Sequence, residues 1–170
     1  MVTIRLEQAG DADAVREVHR SAFPSAAEAR LVDRLRDGGK AVLSLVAEVD
    51  DRVVGHVLFS PVSIATPSAR CWGLGLAPVG VRPTHQRRGI GSSLIREGLA
   101  VCRREGRAFV VVLGNPAYYL RFGFQRASAV GLRNEFGADE TFMVLELQPG
   151  AVPAGGGLAQ YGPEFAEWTR

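Results

Sequence analysis

The sequence predicts an α/β domain built on a mixed sheet, and three observations carry that reading. Strand and helix periods alternate along most of the chain, residues 109–113 are apolar on both faces as in a central strand covered by helices, and the length suits one core. A chain of 170 residues, 46% apolar and 22% charged, buries roughly two-thirds of its unfolded surface as a single domain. Read in order, the elements are β-α-α-β-β-β-α-β-α-β-β, which implies about seven strands with helices on both faces.

Residues 2–6 alternate, with Val2, Ile4 and Leu6 on one face of a half-buried strand. Asp11 or Asp13 can cap a first helix whose Ala14, Val15, Val18 and Ala22 recur at helical spacing, and Pro24 ends it. A second helix turns Ala27, Leu31, Val32 and Leu35 inward and stops at Gly38-Gly39. Residues 43–49 and 53–64 read as a hairpin around Asp50-Asp51, with Pro61 and Pro67 limiting the pairing of the second strand. Residues 71–81 form a further apolar strand, in which Pro78 marks a bulge or a parting of neighbours. A helix opening near Gln86 carries Leu94, Ile95, Leu99 and Cys102 inward, and Gly98 in its interior requires a closely packed neighbour. Asn115-Pro116 starts a short helix over residues 117–121, and residues 142–147 are the clearest closing strand. The domain is therefore expected over residues 1–148. Residues 149–170 form a tail that folds back through Tyr161, Phe165 and Trp168, after an apparent flexible link at residues 154–157.

Composition excludes several classes. The net charge is +2 and the charged residues are dispersed, which argues against nucleic acid as a partner. No apolar run reaches the roughly 18 residues of a membrane span and the N-terminus lacks a signal-peptide pattern, so a cytoplasmic protein without membrane contact is expected. Cys71 and Cys102 belong to no metal-binding or disulfide pattern, so no metal is expected. All the basic residues except Lys40 are arginines, a bias that suggests a GC-rich bacterial genome.

The sharpest local signal is Gln86-x-x-Gly89-x-Gly91-Ser92 between a buried strand and an amphipathic helix. A helix N-terminus presents amide donors and a positive dipole end to phosphate oxygens, and Arg87 and Arg88 flank the loop. The pattern is neither the redox-dinucleotide fingerprint nor the nucleoside-triphosphate loop. About one helix and one strand later comes Asn115-Pro116-Ala117-Tyr118-Tyr119-Leu120-Arg121-Phe122-Gly123-Phe124.

In this register, Val79-x-Val81-x-Pro83-x-x-Gln86-x-x-Gly89-x-Gly91 followed by Tyr119-x-x-x-Gly123-Phe124 resembles the GCN5-related N-acetyltransferases (GNAT). The segments VLGNPAYYLRFGF and FMVLELQPGAV are similar to a bacterial branch of YhbS-like acetyltransferases. The resemblance covers residues 2–150. It implies the GNAT fold with its sheet splayed between the fourth and fifth strands, and transfer of acetyl from acetyl-CoA to a primary amine in a ternary complex. By the same resemblance, the backbone of Val79 and Val81 would hold pantetheine. The amides of Arg87, Arg88, Gly89, Ile90, Gly91 and Ser92, with Gln86 heading the motif, would hold pyrophosphate, Asn115 would contact the cofactor, and Tyr119 would protonate the leaving thiolate.

Amide formation also needs a neutral amine, and residues 72–81 contain no carboxylate to serve as a base. Glu28, His56 and Glu146 are candidates, whereas His19 reads as a surface helix residue and His85 as an exposed one. The acceptor is a small-molecule or peptide amine, met by the first two helices, their connection at residues 23–25, the segment after Phe124 and the tail. The apolar closing strands and tail offer surface for a homodimer. The competing reading is a non-catalytic acyl-CoA sensor, favoured by the carboxylate-free fourth strand.

Overall fold

The alternation of periods becomes helix and strand as follows in the computed structural model, which describes residues 1–168. Two compact units are present: residues 1–60 with 77–101, and residues 61–76 with 102 onward. Strands β3 (Arg52–Ala65) and β4 (Arg70–Val81) contribute residues to both. Among the described residues there are nine strands, two more than the periodicity predicts: the closing part after Phe124 includes β6 (Gln125–Arg126) and β7 (Leu132–Asn134), too short to show a period, and the tail, where no strand was expected, forms one at Gly157–Gln160.

In the first unit, β1 (Thr3–Leu6) pairs antiparallel with β2 (Leu43–Val49), and β2 pairs antiparallel with β3. The β2–β3 connection is the predicted tight turn. Asp50 and Asp51 take φ of 49° and 63°, left-handed values that the short polar side chain of Asp tolerates and that match the twist of a hairpin. Helices α1 (Ala12–Ala22) and α2 (Ala27–Asp37) bury Val15, Val18, Leu31, Val32 and Leu35, as their spacing requires. Helix α3 (Ile90–Arg104) buries Ile90, Leu94, Ile95 and Leu99, and a Cβ built on Gly55 of β3 would sit 3.1 Å from Leu94 and 3.2 Å from Ile90.

The inward face expected for β1 is corrected by the structure: Val2 and Leu6 are exposed, while Arg5 on the opposite face binds Asp11 and Glu48. An edge strand has a partner on one side only. Here it is held by its ladder to β2 and by ion pairs rather than by an apolar face.

In the second unit, β4 pairs parallel with β5 (Phe109–Leu113) at Leu74↔Val110 and Gly75↔Val111. Strand β5 pairs antiparallel with β8 (Phe142–Glu146), which pairs with β6. The mixed sheet is thus parallel at β4–β5 and antiparallel beyond it. Phe109, Val111, Phe142, Val144, Val62 and Ile64 share one core cluster. The tail adds β9 (Gly157–Gln160), antiparallel to the end of β3 and parallel to β7. Beyond it the Tyr161 ring lies 4.9 Å from those of both Phe136 and Phe165, and Phe165 is buried.

Gly98 is explained by Phe59. A Cβ at that position would lie 2.4 Å from the Phe59 ring, so the helix gives up the propensity of a larger residue to seat an aromatic side chain. Gly98→Ala should therefore destabilise the protein by about 1–3 kcal/mol in urea unfolding, against the roughly 1 kcal/mol gain that helix propensity alone would give.

Candidate active site

Between the end of β4 and the start of α3 the chain builds a loop braced from within. Arg82 donates its amide to Val54 O and its Nε to Val53 O, and the Gln86 side chain donates to Val81 O at 2.9 Å. Gln86 is therefore a strut that fixes the loop to the strand end. Arg87 and Gly89 take φ of 63° and 78°, and the first helical bond of α3 runs from Ser93 N to Gly89 O. The amides of Ile90 and Gly91 precede that bond and lie at the positive end of a 15-residue helix. Arg87, Arg88 and Gly89 are exposed, Gly91 and Ser92 are half-buried, and the Ile90 side chain anchors the turn inward. Nothing lies within 4 Å of a Cβ built on Gly89, so the space over the loop is open. The loop thus gathers two exposed arginines and helix N-terminal amides on one open turn, an arrangement that favours anions.

The second unit holds Asn115 and Tyr119. Asn115 Oδ1 accepts the Ala117 amide at 2.9 Å and caps α4 (Pro116–Tyr119), with Pro116 in the first turn. Tyr119 is 6% exposed and sits at ring-centroid distances of 5.1 Å from Tyr118 and 5.6 Å from Phe124. A Cβ on Gly114 would lie 2.3 Å from the Tyr119 ring, so that glycine is what admits the phenol. Burial, with a smaller contribution from Tyr118, pushes the phenol well above its ordinary value, so it stays protonated at neutral pH.

The base candidates separate clearly. Glu146 accepts the Gly150 amide and serves a turn, while Glu28 is half-buried on α2 with Oε1 lacking a hydrogen-bond partner. His85, which the sequence placed at the surface, is half-buried in the loop after β4, with Nδ1 2.8 Å from Thr84 Oγ1. His56 lies on β3, wholly buried, with Nε2 2.7 Å from Ser44 Oγ and 3.4 Å from Glu7 Oε1. Its Nδ1 is 2.7 Å from Nε2 of His19.

The sequence placed His19 on the surface of its helix, and the structure overturns that: His19 is 0% exposed. The missed signal is its position four residues after Val15 and one after Val18, on the apolar stripe. The ring is stacked on Phe23 at 5.9 Å, and a Cβ on Gly80 of β4 would lie 2.8 Å from His19 Nδ1. Ser44 Oγ donates to Glu7 Oε1, and Arg36 donates to Glu7 Oε2 and to Asp33. Glu7, Ser44, Arg36, His56 and His19, drawn from five segments of the first unit, thus form one polar chain that runs from half-buried Arg36 to the two wholly buried imidazoles.

Comparison with known proteins decides the family. A model of the acetyltransferase (GNAT) domain matches residues 3–127. The chain belongs to the GNAT acetyltransferase family. It is 38% identical over 164 residues to the uncharacterized N-acetyltransferase YhbS of Escherichia coli (strain K12), covering 95% of this chain and 97% of that one. The crystal structure of E. coli YhbS in complex with CoA superposes with a TM-score of 0.91 at 37% identity, covering 97% of this chain and 92% of that one. A GNAT acetyltransferase of Brucella melitensis in complex with acetyl-CoA gives 0.81 at 38% identity, covering 97% and 98%.

The buried histidines impose a pH dependence. Burial holds His19 at about 3, helped by its neighbour His56 and opposed by Glu7, and burial also lowers His56. Burial alone would raise Glu7, but the hydrogen bonds from His56 and Ser44 and the charge of Arg36 hold it at about 2. In the unfolded chain the imidazoles take up protons below about 6.5, so the unfolded state binds more protons and stability falls as pH drops from there. The urea midpoint should decrease from about pH 7.5 to about pH 5, and the His19→Gln/His56→Gln double variant should show a flatter dependence.

Proposed function

We propose that this GNAT protein moves the acetyl group of acetyl-CoA to a primary amine by direct transfer in a ternary complex. The observation that carries the cofactor reading is the α3 loop, with left-handed Arg87 and Gly89, helix amides and two arginines gathered on one exposed turn. The CoA and acetyl-CoA complexes of its two relatives, each spanning nearly the whole chain, support the same reading.

In this reading the amides of Arg87, Arg88, Gly89, Ile90, Gly91 and Ser92 hold the pyrophosphate and Gln86 keeps the loop in place through Val81 O. Val79 and Val81, half-buried at the end of β4, offer backbone groups to the pantetheine arm, and an amide near Val79 stabilises the developing oxyanion. Asn115, its Oδ1 engaged in capping, offers its side-chain NH2 to the cofactor. When bound, acetyl-CoA supplies the activated acyl group as a thioester. Tyr119 gives its phenolic proton to the sulfur as the thiolate leaves; burial keeps the phenol protonated in the resting protein but makes it a weaker acid, so the transfer follows the build-up of charge on sulfur.

The domain of residues 1–148 and its tail act together, since β9 pairs with β3 and β7. No helix among the described residues is long and apolar enough to cross a membrane.

Calorimetric titration with acetyl-CoA, followed by a panel of primary amines (a lysine peptide, a peptide N-terminus, spermidine, an aminoglycoside), tests the reading. We expect acetyl-CoA to bind and at least one amine to be acetylated. Binding without turnover on any amine would favour the sensor. Gly89→Asp, which meets no atom within 4 Å but strains a left-handed backbone, should weaken acetyl-CoA binding about tenfold or more by distorting the loop and placing a carboxylate against the phosphates, with the urea midpoint checking that the variant is folded. Tyr119→Phe should lower kcat by about 100-fold or more while leaving acetyl-CoA affinity unchanged.

A further inference from the structure

We propose that His19 is the group that takes the proton from the acceptor amine, with its Nδ1 lone pair set by the hydrogen-bond chain through His56 and Ser44 to Glu7. The proposal rests on the transferase reading above and supplies the base that β4 lacks.

The direction of the chain follows from its far end. The Glu7 carboxylate is paired with Arg36 and can only accept, so Ser44 Oγ–H points to Glu7 Oε1. The Ser44 oxygen then accepts His56 Nε2–H, at 2.7 Å. A neutral imidazole protonated on Nε2 has a bare Nδ1, and this nitrogen accepts His19 Nε2–H, also at 2.7 Å. His19 is left with a bare Nδ1. The reverse order would set a Ser44 lone pair against the Glu7 carboxylate. Burial independently favours neutral rings, as the lowered values of both histidines indicate.

That lone pair is buried and has no partner among the described residues, which is costly for a nitrogen acceptor unless a donor arrives. It lies against Gly80, the residue between Val79 and Val81, and Phe23 stacks on the ring at the start of the connection to α2. A substrate N–H, direct or through one water, is the donor that the position accepts.

As the amine nitrogen bonds to the acetyl carbon it gains positive charge, and its N–H becomes far more acidic than that of a free ammonium ion. A weak base is then sufficient. The proton passes to Nδ1, and the negative charge of Glu7 favours the imidazolium. The C–S bond breaks with its electron pair on sulfur, which takes the Tyr119 proton; once the products have left, His19 gives up its proton and the phenolate regains one from solvent. Counted from an ammonium ion, nitrogen loses two protons, sulfur gains one, and one goes to solvent. The products are an amide and CoA thiol.

Nitrogen-15 NMR of histidine-labelled protein tests the assignment, because the chain has only three histidines and His19→Gln and His85→Gln identify the signals. At neutral pH we expect His19 Nδ1 to resonate as an unprotonated nitrogen and Nε2 as a protonated one. A protonated Nδ1 overturns the proposal. On the amine that the panel selects, His19→Gln should lose about 100-fold or more in kcat with acetyl-CoA affinity within about twofold, whereas Glu7→Gln should lose less and shift the pH profile. Unchanged kcat in folded His19→Gln also overturns it, and if that variant does not fold the wild-type tautomer decides. Wild-type protein that fails to bind acetyl-CoA, or binds it without turnover, removes the transferase reading and this role together. Turnover with the opposite tautomer removes His19 alone.

Discussion

Glu7, the residue after β1, carries a mostly buried carboxylate on which the polar order of the first unit depends. It accepts from Arg36 of α2 and Ser44 of β2, and through Ser44 it orients His56 of β3 and then His19 of α1. One charge therefore ties four segments together and assigns a tautomer to two imidazoles that no solvent contact could assign. Without that charge, Arg36 and Ser44 would each lose an acceptor in a largely dry setting, which costs more than the pair contributes when whole. The edge strand preceding it, with an exposed apolar face, is held in register by its ladder and the neighbouring Arg5–Asp11–Glu48 group.

Several aromatic rings occupy space that a side chain on a glycine would fill, Phe109 at Gly73 and Tyr161 at Gly75 among them. His19 lies against Gly80, Phe59 against Gly98 and Tyr119 against Gly114. At these positions glycine serves close approach rather than turning, and each ring is fixed by backbone that cannot rotate away. His19 and Tyr119, for which we propose roles in proton transfer, are among these rings, and each is seated on strand or loop backbone rather than on flexible side chains. The phosphate-type loop is different in kind. Its donors are main-chain groups, and its shape comes from left-handed Arg87 and Gly89 and the strut from Gln86.

Local features were legible in the sequence because they are encoded by neighbours. The periods of α1, α2 and α3, the Asp50-Asp51 turn, the bifacial β5 and the glycine loop before α3 each depend on residues a few positions apart. Residue types fixed the family for the same reason, since Gln86, Gly89, Gly91, Tyr119, Gly123 and Phe124 stand in register along the chain. Gly98 was legible halfway. Its cost within a helix was plain, but Phe59 as its cause lies on another strand.

What only the tertiary structure decided is the environment of polar side chains. His19 reads as one polar residue on an amphipathic helix, and only the approach of β3 and β4 turns it into a buried acceptor. Glu7, after an unremarkable strand, reads as solvated until α2 and β2 bring Arg36 and Ser44 to it. The two shortest strands and the pairing of β9 with β3 and β7 were likewise beyond reach, because strand partners are chosen by long-range fit rather than by local period. Sequence alone determined the segments with a clear local period and the glycine loop that opens α3. The fold determined which side chains lose water, and desolvation is what turns an ordinary histidine or tyrosine into a group with chemistry to perform.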